Sequence, residues 1–167
     1  MLMANWLKYV IALASAMALM LAFRALVFSI HSVSGNGLAP LYQEGDRLLI
    51  NRCSYGLRIE GNGLLPYSRL LRRPVKRGDI VAFQSEKAAN GLMIARCKGV
   101  PGDTIRTLKG LLVVPGLNNC AKADYYWLEA INGLNPADSR HLGFIPERNI
   151  IGEVITVVYN RQQIHLP

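Results

Sequence analysis

The sequence has only three cysteines, Cys53, Cys97 and Cys120, and no C-x-x-C pair. His31, His141 and His165 do not fall at metal-ligand spacings, so neither a zinc site nor any other cofactor is expected. The odd cysteine count leaves room for one disulfide without naming its pair. No segment recurs at a constant length, which argues against a solenoid or propeller. Fifteen glycines without a period, and eight prolines, exclude a collagen-like chain. Charge is also scarce. Charged residues make up 18% of the 167 positions against 51% apolar, the reverse of a disordered composition. Acidic side chains are outnumbered 11 to 19 by Lys and Arg, which gives a formal charge of +8.

What the chain does have is one long apolar run near its N-terminus. Ser15 is the only polar residue over positions 9–23, and after Arg24 the run resumes to Ile30. As a helix, positions 9–30 would extend about 33 Å, enough for a hydrocarbon core of about 30 Å. Trp6, Lys8 and Tyr9 supply an interfacial flank, and Arg24 is near enough to the far end to snorkel. Small-residue cleavage sites such as Ala12-Leu-Ala14 fall inside the run, which leaves too short a core before them for a cleavable signal. The expectation is therefore a single-span anchor over 1–30, with its N-terminus in the cytoplasm, followed by one domain over 31–167.

The texture changes after residue 30. Short apolar runs at 47–51, 80–84, 92–98, 104–108, 111–114 and 153–159 alternate with Gly, Pro, Asn and Asp. That punctuation predicts a mostly β domain. Three of the runs follow a Gly-Asp pair, at 45–46, 78–79 and 102–103. Gly admits the positive φ of a tight turn, and Asp can hydrogen-bond the backbone that follows. Further turns are expected at 61–63, 90–91, 109–110 and 132–133. A basic run, Arg69, Arg72, Arg73, Lys76 and Arg77, would suit a nucleic-acid patch. Apolar interruptions and the anchor instead point to anionic headgroups or a solvated face, and no nucleic-acid partner is expected.

Four blocks in chain order resemble the type I signal peptidase (leader peptidase) family. They are Ser-Gly-Asn-Gly-Leu-Ala-Pro at 34–40 after the anchor, and Gly-Asp-Arg-Leu-Leu-Ile-Asn at 45–51 with Tyr55-Gly56. Then come Arg-Gly-Asp-Ile-Val-Ala-Phe at 77–83 with 94–103, and Asp-Ser-Arg-His-Leu-Gly-Phe-Ile-Pro at 138–146. Gly-Val-Pro-Gly-Asp at 99–103 and the 138–146 block are the specific ones. The resemblance implies a Gly/Pro-rich β-fold tethered by one helix to the cytoplasmic (inner) membrane, with its β-domain on the outer side. It also implies a groove for the extended ends of signal peptides.

Enzymes of this family use a serine nucleophile and a neutral lysine base, which must be desolvated to lose its proton. The family's serine lies nine residues before the acid of its Gly-Asp turn, and here that position is Gly37. Its lysine precedes the arginine matched by Arg96, and here that position is Ala95. Its supporting serine falls at Pro136. The neighbours offer no ready replacement. Lys98 is three positions from Ala95, so the alternation of a strand sends it to the opposite face. Asp138, Ser139 and His141 lie too close in sequence to converge as a hydrolase triad from separate segments. The resemblance sets Leu38, Leu41, Met93 and Ile94 along the substrate groove, with Arg96, Asp138 and Arg140 in support and the last two as an ion pair.

These residues imply a family member that binds signal-peptide-like segments of exported proteins without cutting them. An active signal peptidase or the secretion machinery would be further partners. The alternative is an active signal peptidase I with displaced catalytic residues. A self-cleaving repressor of the same fold would need a DNA-binding head where the anchor stands.

Overall fold

The computed structural model describes residues 2–34, 37–61, 65–85, 91–107, 110–119, 121–132 and 138–159. Pro136 and Cys120 lie outside them, as do parts of the turns expected at 61–63, 90–91, 109–110 and 132–133. The chain opens with helix α1 (Leu2–Val27), apolar on every side. Its stretch Trp6–Arg24 has a mean hydropathy of 1.8 and none of it is buried in the protein. It is long and apolar enough to cross a membrane.

The apolar run extends beyond this helix. Phe28–Ser32 forms strand β1, paired antiparallel with β2 (Arg47–Asn51) from Phe28↔Asn51 to Ser32↔Arg47. The expectation of a helix to residue 30 is therefore corrected to Val27. Val, Phe and Ile favour extended backbone once a partner strand supplies the hydrogen bonds.

The remaining elements are β3 (Leu57–Gly61), β4 (Leu65–Leu70), β5 (Ile80–Gln84), β6 (Leu92–Gly99), β7 (Thr104–Thr107) and β8 (Gly110–Val113). They are followed by β9 (Tyr125–Glu129), the short helix α2 (Ser139–Leu142), β10 (Ile145–Pro146) and β11 (Ile150–Tyr159). Seven strands form one antiparallel sheet in the order β1-β2-β11-β5-β6-β9-β10. The pairs β3-β4 and β7-β8 form separate two-stranded ribbons. The fold is mostly β, as expected.

Strand alternation divides the core between the two faces of the sheet. Val81, Phe83, Ala95, Cys97, Tyr126, Leu128 and Ile150 pack on one face. Val33, Tyr42, Leu48, Ile50, Ala82, Ile94 and Val154 pack on the other. Burying each large side chain contributes about 1.5–3 kcal/mol. Because both faces are covered, residues 80–83 of β5 read as an unbroken apolar run rather than an alternating one.

The three Gly-Asp pairs build one turn three times. Gly45, Gly78 and Gly102 have φ of 91°, 93° and 89°, where a side chain would be strained. Each following carboxylate accepts from the backbone N–H three residues earlier: Asp46 from Gln43 at 2.9 Å, Asp79 from Lys76 at 3.0 Å and Asp103 from Val100 at 2.8 Å. The carboxylate thus holds the backbone before it, which corrects the expectation that it bonds the backbone that follows, and closes the turn from inside.

One residue of the basic run, Arg69, turns inward. Arg69 donates to the Ile150 carbonyl at 2.5 Å, and Arg77 pairs with Asp103. Arg72 donates through Nε to Glu147 at 2.8 Å and also pairs with Asp124. Three of the five cations therefore have partners within the protein, while Arg72, Arg73, Lys76 and Arg77 all remain exposed, as a solvated face would be. Arg72→Ala would leave the buried Glu147 carboxylate with Arg69, at 3.9 Å, as its one ion-pair partner among the described residues. The expected cost is about 1–2 kcal/mol, read as a lower Tm of the full chain in detergent.

Candidate functional site

Val33 and Asp46 close a loop that carries Gly37. The Val33 N–H donates to the Asp46 carbonyl at 2.8 Å, and the Gly45 N–H donates to Val33 at 3.0 Å. Within the loop, the Tyr42 N–H donates to the Leu38 carbonyl at 3.0 Å, turning the chain just after Gly37. Tyr42 and Leu38 then sink into the core face shared with Ile94. Burial pushes the Tyr42 hydroxyl up, and the nearby Arg96 charge partly offsets this.

Strand β6 supplies the other side of the site. Its register against β5 sets Val81↔Ala95 and Ala82↔Ile94. Ala95 is fully buried, in the same cluster as Met93 and Cys97. Lys98 lies on the opposite face, where it lines a groove with Arg96 and Leu41. The alternation argument thus places Lys98 correctly. Ala95, however, is enclosed in packed core and does not line an open groove. Burial, with the Asp79 and Asp103 charges, pushes the Cys97 thiol up to about 12. It stays protonated and offers no thiolate nucleophile.

The four residues expected along the groove are divided. Leu38 and Ile94 meet in one core face, while Met93 packs against the other. Leu41 is exposed, beside the groove of about 530 Å³ formed with Pro40, Arg96, Lys98, Glu129, Ala130, Ile131 and Arg140. Reading the sequence missed Lys98 and Glu129 as groove residues. The even positions of β6 already place Lys98 beside Arg96, but Glu129 sits on a strand, β9, that had not been recognised.

Asp138 and Arg140 do form an ion pair, with Arg140 Nε donating to Asp138 Oδ2 at 2.5 Å. Asp138 also caps α2, accepting from the Arg140 N–H at 3.1 Å, and its Oδ1 lies 3.2 Å from His141 Nδ1. Ser139 is buried, and its Oγ accepts from the Leu128 N–H at 2.8 Å. The three residues therefore serve local structure and form no hydrolytic triad. Burial pushes the Asp138 carboxyl up, but the hydrogen bonds and charge of Arg140, with the His141 contact, together hold it below the usual carboxylate range. Cys53 and Cys97 are free thiols. Among the described residues, no three His, Cys, Asp or Glu side chains cluster as metal ligands would.

Comparison with known proteins gives the same family as the motif blocks. The chain is similar to signal peptidase I of Leptolyngbya laminosa, 24% identical over 163 residues that cover 84% of this chain and 73% of that protein. Signal peptidase I of Bacillus caldolyticus is 25% identical over 170 residues, covering 83% and 84%. Signal peptidase I V of Bacillus subtilis is 25% identical over 158 residues, covering 77% and 84%. The family model described as signal peptidase, peptidase S26, matches residues 4–125, well over half of the chain. The chain, with its mostly β domain behind one apolar N-terminal helix, belongs to the type I signal peptidase family.

Proposed function

We propose that this protein holds extended, signal-peptide-like segments of exported proteins without cleaving them. The helix α1 anchors it in the cytoplasmic membrane, and the β-domain works on the outer side. The observation that carries this reading is the pair Gly37 and Ala95. At the registers of nucleophile and base, one has no side chain and the other has a methyl group sealed in core. A serine–lysine mechanism needs a hydroxyl and an amine within about 3.2 Å of each other. Leu38 and Leu41 on the loop, Ile94 on β6, and the supporting Arg96, Asp138 and Arg140 are the scaffold this reading keeps for that site, while Met93 packs into the opposite core face. Pro136 replaces the supporting serine. An active signal peptidase or the export machinery would receive or deliver the bound segment.

The experiment incubates the full chain in detergent with a preprotein, alongside an active signal peptidase. No cleavage product is expected from this chain, while a photo-crosslinker in the preprotein's leader should label the β-domain. Cleavage at the leader junction, lost when every serine is replaced, would install the alternative of an active signal peptidase I. Absence of both cleavage and labelling would remove the holding role.

A further inference from the structure

The groove beside the Gly37 loop is lined by more positive than negative charge. Arg96 and Lys98 project into it from one face of β6, Glu129 from β9, and Arg140 from α2, with Pro40 and Leu41 at its loop side. The charges do not cancel evenly. Arg140 is paired with the buried Asp138. Glu129 accepts from the Trp127 indole at 3.3 Å and its charge acts on Arg140. Although Glu129 stands opposite Arg96 in the strand register, neither Arg96 nor Lys98 makes an ion pair among the described residues. Both are exposed. Counting Asp138 with the lining residues, three cations face two carboxylates.

We propose that this groove receives a single carboxylate carried on an extended peptide, held between Arg96 and Lys98. The inference rests on the peptide-holding reading and specifies what the held segment must carry. A surplus of about one positive charge matches a monoanion better than a phosphate dianion. Arginine can clasp a carboxylate with two parallel N–H donors, and lysine adds a point charge from two residues away on the same face. Pro40 and Leu41 bring the groove directly alongside the Gly37 loop. Two sources share this chemistry: the free C-terminus of a released leader, or an acidic side chain in an uncut segment. Because the groove is open to water, the gain is that of an exposed pair and is screened by salt.

The test measures binding of four alanine-rich, otherwise uncharged peptides to the full chain in detergent at low salt. One is amidated, one has a free C-terminus, and two amidated versions carry an internal Asp or an internal Asn. Binding of the amide at all tests the holding role, whereas the ratio of acid to amide tests the carboxylate site. The free acid, the Asp peptide or both should bind about fivefold more tightly than their neutral partners. Which of the two gains identifies the source. Arg96→Gln and Lys98→Gln, both on exposed side chains, should each bring the ratio close to one, as should 0.5 M salt. Equal binding of all four peptides overturns the carboxylate site and leaves the holding role standing. No binding of any peptide overturns both. Binding of anionic vesicles that depends on Arg96 and Lys98, with equal peptide affinities, would make the groove a lipid contact and also overturn the proposal.

Discussion

Gly37→Ser combined with Ala95→Lys should produce signal-peptide cleavage on the order of 10² times that of either single variant. A serine without a base is a weak nucleophile, and a lysine without a serine has nothing to deprotonate, so the two changes act as one unit. The loop that carries Gly37 is held at Val33, Asp46 and Leu38 on the Ile94 face of β6, whereas Ala95 enters the other face, so cleavage also requires the introduced amine to reach past the strand. A lysine at position 95 is harder to accommodate. Ala95 is completely enclosed with Val81, Phe83, Cys97, Tyr126 and Leu128, so a longer side chain must displace neighbours at about 1–3 kcal/mol.

The same enclosure supplies the chemistry. Desolvation disfavours the ammonium form and lowers the introduced lysine's pKa, as a general base at neutral pH requires. In the unfolded chain that lysine is charged up to about pH 10.4, while in the folded chain it loses its proton earlier. The unfolded state then binds more protons, so stability rises with pH. The Tm deficit of Ala95→Lys against the parent should therefore shrink between pH 7 and pH 10. Cleavage by the double variant should rise over the lower part of that range, and adding Pro136→Ser should raise it further by orienting the amine. Background rates in the singles, double and triple alike, with circular dichroism unchanged, would falsify the register that places Gly37 and Ala95 at the dyad.

The β-domain was legible wherever local chemistry and burial pointed the same way. The Gly-Asp turns announced β2, β5 and β7 because each needs a positive φ and a short acceptor at fixed offsets. Strand β9 was not legible. In Tyr-Tyr-Trp-Leu-Glu, Tyr126 and Leu128 enter one core face while Trp127 packs edge-on against Phe144 at 5.5 Å, so no alternation marks it. Pro66 and Arg69 disguised β4, and β1 was hidden because its Phe28 and Ile30 continue the apolar run of α1. The site shows the same division. Motif spacing found the Asp138–Arg140 pair. The alternation used for Lys98 already sends Met93 and Ile94 to opposite faces of one strand, but the spacing could not say that each face is covered by its own core.

Replacing Asp138 tests how much of that retained scaffold is structural. Its carboxylate is fully buried, caps α2 and pairs with Arg140 and His141. Asp138→Ala removes the cap and the pair together, but Arg140, with its side chain 44% exposed, can turn its charge to water. The expected loss is about 2–3 kcal/mol, or roughly 5–10 °C in Tm for the full chain in detergent. Arg140→Ala should differ in its pH dependence. In the parent chain the folded carboxyl titrates below its unfolded value, so its contribution is complete above about pH 4 and is lost as pH falls through the folded pKa. Without Arg140, burial becomes the dominant influence and raises the folded pKa. The folded state then binds the extra proton, and stability falls as pH rises. Measured by thermal melts from pH 7 down to pH 4, the deficit of Arg140→Ala should narrow on acidification, whereas that of Asp138→Ala should stay constant until the parent itself begins to lose stability below pH 4. Parallel curves for the two variants across the whole range would mean that Arg140 does not set the charge state of Asp138.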